Sequence, residues 1–167
     1  MIRGVGFLLL SVCLSFPVRA AEVGRETGFS IPRFVSMRAE EANVRRGPST
    51  QHRIDWVFER PGLPVVVRGE FGHWRLIEDA DGDGGWVHRA LISGRWTGLV
   101  LKGEILIRTA PTDESEAKAR VRHDVIVEIE ECGVEWCNVS RDDIRGWVRK
   151  DDIWGVDASQ IQAEGSR

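Results

Sequence analysis

The sequence predicts an all-β protein built from two small units in tandem. Three observations predict it: apolar residues that alternate with period two, turn residues at short intervals, and a set of motifs that occurs twice at a nearly constant offset. Leu63, Val65 and Val67 alternate with Pro64, Val66 and Arg68, while Val125, Val127 and Ile129 alternate with Ile126, Glu128 and Glu130. Such alternation marks a half-buried strand, because successive side chains of a strand point to opposite faces. Turn signals stand between the strands: Gly47-Pro48, Pro61-Gly62, Gly69 with Gly72 and Asp81 to Gly85 in the first half, Ala110-Pro111 and Gly133 in the second. Short strands at regular spacing, with no helical period longer than a turn, indicate a small barrel or sandwich of about five strands per unit.

The duplication is read from the tryptophans and their neighbours. The Arg-x-x-Pro pair repeats at an offset of 63 residues (Arg45 to Pro48, Arg108 to Pro111), Trp74 and Trp136 at 62, and Gly85-Trp86-Val87 with Gly146-Trp147-Val148 at 61. A drift of two residues over a whole unit requires only short loop deletions, and two copies fill the chain.

Taken in chain order, residues 1–20 read as a secretory signal. Arg3 is the charged region, Gly6 to Val18 the apolar one, and Val18-Arg19-Ala20 precedes a cleavage point before Ala21. The apolar stretch is too short to span a bilayer, which needs about 20 such residues, so no membrane insertion is expected after cleavage. A lipid-attachment reading of Leu10-Ser11-Val12-Cys13 suffers from Val12, where a small residue is wanted. Residues 21–33 are expected to be a flexible segment, 34–95 the first unit, 96–156 the second and 157–167 a flexible tail.

Removing residues 1–20 takes away Arg3 and Arg19 and moves the formal net charge from −3 to −5. With no long Lys/Arg run, a phosphate-tracking surface is not expected and nucleic acid is a poor partner. Cys13 leaves with the signal, and the remaining pair, Cys132 and Cys137, in an exported chain favours a disulfide. A metal pair or a catalytic thiol are the alternatives, but zinc would need two further ligands nearby.

The ordered motifs resemble those of the bacterial SH3-like (SH3b) family in its exported tandem form. The residues that carry the resemblance are Asn43-Val44-Arg45 before Gly47-Pro48, Gly62-Leu63-Pro64-Val65 leading to Phe71-x-x-Trp74, and Gly85-Trp86-Val87. The second unit replaces the first motif with Ile105-Leu106-Ile107-Arg108 but keeps Trp136-Cys137, Gly146-Trp147-Val148 and Asp152-Ile153-Trp154-Gly155. The resemblance implies two SH3-like β-barrels and attachment to peptidoglycan or to an envelope protein, in a periplasmic or secreted setting. Trp74, Trp86, Trp136 and Trp147 are expected to be structural aromatics, since a unit of about 60 residues buries a small fraction of its surface and gains most from large side chains. Trp56, Trp96 and Trp154 fall outside the shared positions, and Trp96 at the junction is expected to pack the units together.

Candidate chemistry is sparse. His52, His73, His88 and His123 lie in no recognisable hydrolase motif, and the cysteines are better used as a disulfide, so no catalytic residue and no cofactor is expected; a small hydrolase is the remote alternative. Asp79, Asp81 and Asp83 with Gly84 open a calcium-loop pattern, D-x-D-x-D-G, but position twelve is Ala90 where a bidentate Glu is needed. The second unit has Asp142-Asp143-Ile144-Arg145 at the matching place, and Asp-Gly pairs favour hairpin turns, so the stretch is read as a turn and only a weak calcium candidate. The chain also has no Tyr, which argues against an aromatic groove of the kind that reads Pro-rich peptides. What remains is a non-catalytic binding module for peptidoglycan or its peptides, or a scaffold for another envelope protein.

Overall fold

The computed structural model describes residues 22–156. The export signal expected at 1–20 and the tail expected at 157–167 lie outside the described residues. An N-terminal hairpin joins β1 (Glu22–Val23) to β2 (Ser30–Ile31). The first unit follows with β3 (Arg33–Met37), β4 (Ala42–Arg45), β5 (Ile54–Phe58), β6 (Pro64–Phe71), β7 (Trp74–Glu78), β8 (Gly84–His88) and β9 (Ile92–Ser93). The second holds β10 (Thr97–Val100), β11 (Glu104–Arg108), β12 (Ala117–Arg122), β13 (Ile126–Cys132), β14 (Trp136–Arg141), β15 (Ile144–Arg149) and β16 (Ile153–Trp154).

The two sheets have the same strand order. The first runs β5-β4-β8-β7-β6-β3-β9 and the second β12-β11-β15-β14-β13-β10-β16, which is the same path shifted by seven elements. Both units are therefore all-β, as the duplication implies, with seven strand segments each. The excess over five comes from a leading strand before the first motif and a two-residue strand after a 3-10 turn, at Arg89–Leu91 and Lys150–Asp152. Both segments are too short or too far from a motif for period-two patterning to reveal.

Each motif has a local physical cause. Arg45 donates from one guanidinium nitrogen to the carbonyls of Thr50 (3.0 Å) and His52 (2.8 Å), and Arg108 donates to the carbonyl of Ser115 (2.6 Å). Each arginine thus braces the loop that its Pro begins. The Gly before each Trp is required by close approach. A Cβ on Gly85 would lie 2.6 Å from the Arg45 carbonyl oxygen, and one on Gly146 would lie 2.3 Å from that of Arg108. The Gly-Trp-Val strand therefore sits directly on the Arg strand in both units, where Arg45 pairs with Trp86 and Arg108 with Trp147.

The cores are mostly aliphatic. Val44, Val65, Val66, Val67, Ile77 and Val87 fill the first, and Val100, Ile107, Val127, Val139, Val148 and Ile153 the second. The first core also takes in Leu99 and Trp154 from the second unit. Trp154 meets Phe34 edge to face, with centroids 4.9 Å apart, and Thr97 Oγ1 donates to the Gly62 carbonyl at 2.7 Å. The tryptophan of the junction that enters the first core is thus Trp154, while Trp96 stays at the surface of the junction beside Phe34 and Val35. Trp96 is 40 % exposed and donates its indole N–H to the Gly155 carbonyl at 3.1 Å. The reason is register: Trp154 pairs with Leu99 on β10, and β10 packs against β6 of the first unit.

Within the segment expected to be flexible, residues 22–31 form a hairpin held on β6 through Glu70. The Glu70 carboxylate, 1 % exposed, accepts from the backbone N–H groups of Glu26 (3.0 Å) and Thr27 (3.1 Å), from Thr27 Oγ1 (2.6 Å) and from Arg33 (2.9 Å). Burial alone would push its pKa up. The bonds from Thr27, Arg33 and Glu26 and the charge of Arg75 outweigh burial and hold it down to about 2.

Candidate functional site

The outward faces of the β7–β8 hairpin of the first unit and the β14–β15 hairpin of the second carry matching aromatic pairs. In the first unit β7 and β8 set Trp74 opposite His88 and Leu76 opposite Trp86. The Trp74 and His88 rings meet edge to face at 5.7 Å, and His73 approaches His88 at 5.9 Å. In the second unit β14 and β15 set Trp136 opposite Arg149 and Asn138 opposite Trp147. The Arg149 guanidinium lies 4.8 Å from the Trp136 ring centroid, a cation–π distance.

The expected structural aromatics differ in depth. Trp136 is buried at 8 % exposure, while Trp74, Trp86 and Trp147 are half-buried, with one edge in the protein and one toward solvent. The cause is the strand alternation: Arg75, Ile77 and Val87 take the inward positions of the first hairpin, and Cys137, Val139 and Val148 those of the second.

Beside Trp136 and Trp147 the second unit has a cleft of about 530 Å³, bounded by Pro111, Val134, Glu131 and Cys132. Cys132 and Cys137 are directly opposite across β13 and β14 and form a disulfide with Cα atoms 4.0 Å apart, which shapes one lip of this cleft. Both cysteines among the described residues are thus taken up in one bridge. Arg149 also bonds Asp113 and reaches Glu135 at 3.4 Å, and its bond to Asp113 holds that carboxyl below the usual range. Pro111 is visible in the sequence only as a repeated turn position, and Val134 and Arg149 carry no mark there as site residues. Arg149 could have been found there, since it follows Gly-Trp-Val at the same offset as His88.

A second concavity, of about 990 Å³, runs between the units and is lined by Arg38, Arg60, Arg95, Asp124, Glu128 and Arg141. Arg60 bridges the units through Asp124 at 2.6 Å. The groove is therefore charged but largely self-paired.

Asp79, Asp81 and Asp83 lie in the turn that joins β7 to β8. Asp79 Oδ1 accepts from the N–H groups of Asp81 (3.1 Å) and Asp83 (2.9 Å), and the Asp79 N–H donates to the Asp83 carbonyl (2.9 Å). Burial raises the Asp79 pKa, against the two backbone donors that lower it. Among the described residues no group of three His, Cys, Asp or Glu side chains is arranged to hold a metal ion. His52 sits in the loop braced by Arg45 and its ring lies against Gly47, and the His123 N–H donates to the Gly103 carbonyl at 3.0 Å.

The family model of the bacterial SH3 domain matches residues 38–94 and, a second time, residues 102–155. The chain belongs to the bacterial SH3 domain family. Its two SH3 units correspond to the two sheets. Among solved structures, NlpC2 from Trichomonas vaginalis is similar at 10 % identity and a TM-score of 0.34, over 74 % of this chain and 48 % of that one. NlpC1 from the same organism is similar at 9 % identity and a TM-score of 0.33, over 78 % of this chain and 48 % of that one. The SH3 pair spans about half the length of these structures. No curated protein matches the chain. Among the described residues no helix is long and apolar enough to cross a membrane.

Proposed function

We propose that the protein is a non-catalytic, exported module of the cell envelope that binds peptidoglycan or its peptides, through the cleft of Pro111, Trp136 and Trp147. Bacterial SH3 domains are commonly cell-wall-binding modules, and membership of that family supports the class of ligand. The observation that carries the site is the half-buried Trp147 beside Trp136 in one cleft, with the Arg149 guanidinium against the Trp136 ring. An aromatic face suits a sugar ring or an aliphatic side chain, and a guanidinium suits the carboxylates of a peptide stem. Export through residues 1–20 to the periplasm or the medium belongs to the same reading.

Retention on purified sacculi tests it. The protein is expected to pellet with sacculi at low and moderate salt, and Trp147→Ala to lose most of that retention while remaining folded. No retention of the unmodified protein would end the peptidoglycan reading. A scaffold role for another envelope protein is the second reading, favoured by the charged groove between the units; charge reversal at Arg38 would then weaken partner capture and leave sacculus retention unchanged.

A further inference from the structure

The two SH3 units end in edge strands of opposite character. Among the described residues β5 pairs only with β4, and β12 occupies the same edge of the second sheet. Register makes the comparison exact residue by residue: Ile54, Trp56 and Phe58 face Arg45, Val44 and Ala42, just as Ala117, Ala119 and Val121 face Arg108, Ile107 and Ile105. The second unit thus uses small residues and guards its edge with Lys118, Arg120 and Arg122, a usual way to prevent strand addition. The first unit puts large apolar side chains there and leaves Ile54 at 42 %, Trp56 at 45 % and Val57 at 46 % exposure.

An open strand edge lined with exposed apolar residues templates another strand. The charges select the occupant. Residues 53–59 read Arg-Ile-Asp-Trp-Val-Phe-Glu, and an antiparallel copy centred on Trp56 sets Trp56 against Trp56, Ile54 against Phe58 and Arg53 against Glu59. Trp56 and Phe58 of each copy then share one face, because alternate residues of a strand do, while the bulge opposite Val44 and Arg45 turns Ile54 to the other face. Arg53 already bonds Asp55 at 2.7 Å, but a guanidinium has five donors and can also meet a carboxylate across the pair.

We propose that β5 is a self-association edge, at which a second copy of this chain pairs antiparallel about Trp56 and joins the two first-unit sheets into one. This does not depend on the ligand of the second-unit cleft. The symmetry forms the Arg53–Glu59 pair twice, once at each end, so charge changes act in duplicate.

Sedimentation velocity of the chain purified after export, across the micromolar range, tests the proposal. A reversible dimer is expected. Arg53→Glu alone and Glu59→Arg alone should each weaken it roughly tenfold, since each reversal turns two attractive cross-strand pairs into repulsive ones. The double variant Arg53→Glu/Glu59→Arg should recover the dimer, and circular dichroism should show all three variants folded. A protein monomeric throughout the range, or a dimer that the single variants leave intact or the double variant fails to recover, overturns the proposal.

Discussion

At one position of the repeated hairpin the two units are closed by different chemistry. In the second unit Cys132 and Cys137 stand directly opposite and are joined covalently; in the first, Glu70 and Arg75 occupy the corresponding cross-strand pair and meet at 3.5 Å. Both first-unit side chains are almost fully buried, at 1 % and 4 % exposure. A buried ion pair needs further hydrogen bonds to offset desolvation. Those bonds come from the N-terminal hairpin to Glu70, and Arg75 donates to the carbonyls of Gly72 (2.9 Å) and Trp74 (2.7 Å). The disulfide satisfies itself. The difference teaches that the first unit relies on residues outside its own repeat: Glu26 and Thr27 before it, Leu99 and Trp154 after it.

The largest test of that dependence is Trp154. Trp154→Ala should destabilise the protein by about 3–5 kcal/mol, the cost of emptying a core site of this size. Its signature in urea unfolding should be loss of first-unit structure although the change lies in the second unit. If only second-unit signals move, the shared core is not cooperative. Trp154→Phe should cost far less, because the indole Nε1 is buried without a partner among the described residues.

Next comes Glu70. With its folded pKa at about 2, below the ordinary carboxylate value of 4.5, the ionised group contributes stability that is fully present above about pH 4.5 and is lost as pH falls toward 2. A shift of that size corresponds to about 3 kcal/mol. Glu70→Gln should lower stability by about that much at neutral pH and flatten the acid limb of the stability curve, measured by urea titration at several pH values. An unchanged acid limb would remove Glu70 from the account.

The disulfide should matter less. Replacing Cys132 and Cys137 by Ser closes no loop in the unfolded chain, and for so short a loop the loss is about 2 kcal/mol. Thermal unfolding of the double variant should thus fall less than that of Glu70→Gln, and the reverse order would mean that the covalent closure is the stronger one. The smallest change is expected at Asp79. Asp79→Ala removes two acceptor bonds within a solvent-facing turn and should cost about 1 kcal/mol. Asp79→Asn, which keeps an acceptor and removes a carboxylate whose pKa is raised by burial, should be closer to neutral at pH 7.

The candidate cleft was partly legible. Trp136 and Trp147 are visible in the sequence as repeated motif positions, because the Gly before the second must admit the Arg108 carbonyl and no other residue can. Their solvent-facing edges were not legible, since alternation tells which residues share a face but not which face is covered. Pro111 and Val134 join them only because two turns from distant parts of the unit converge.

The amino-acid sequence by itself determined the strand class, the duplication and the turn chemistry at Asp79 to Gly85. These are local or periodic properties, recorded in neighbouring residues and repeated once along the chain. Only the tertiary structure decided that Trp154 enters the first core, that Glu70 holds the N-terminal hairpin and that β5 presents an apolar edge with no further strand beside it among the described residues. Each depends on contacts between residues more than forty positions apart, or on which sheet edge lacks a neighbour, and no periodicity carries that information.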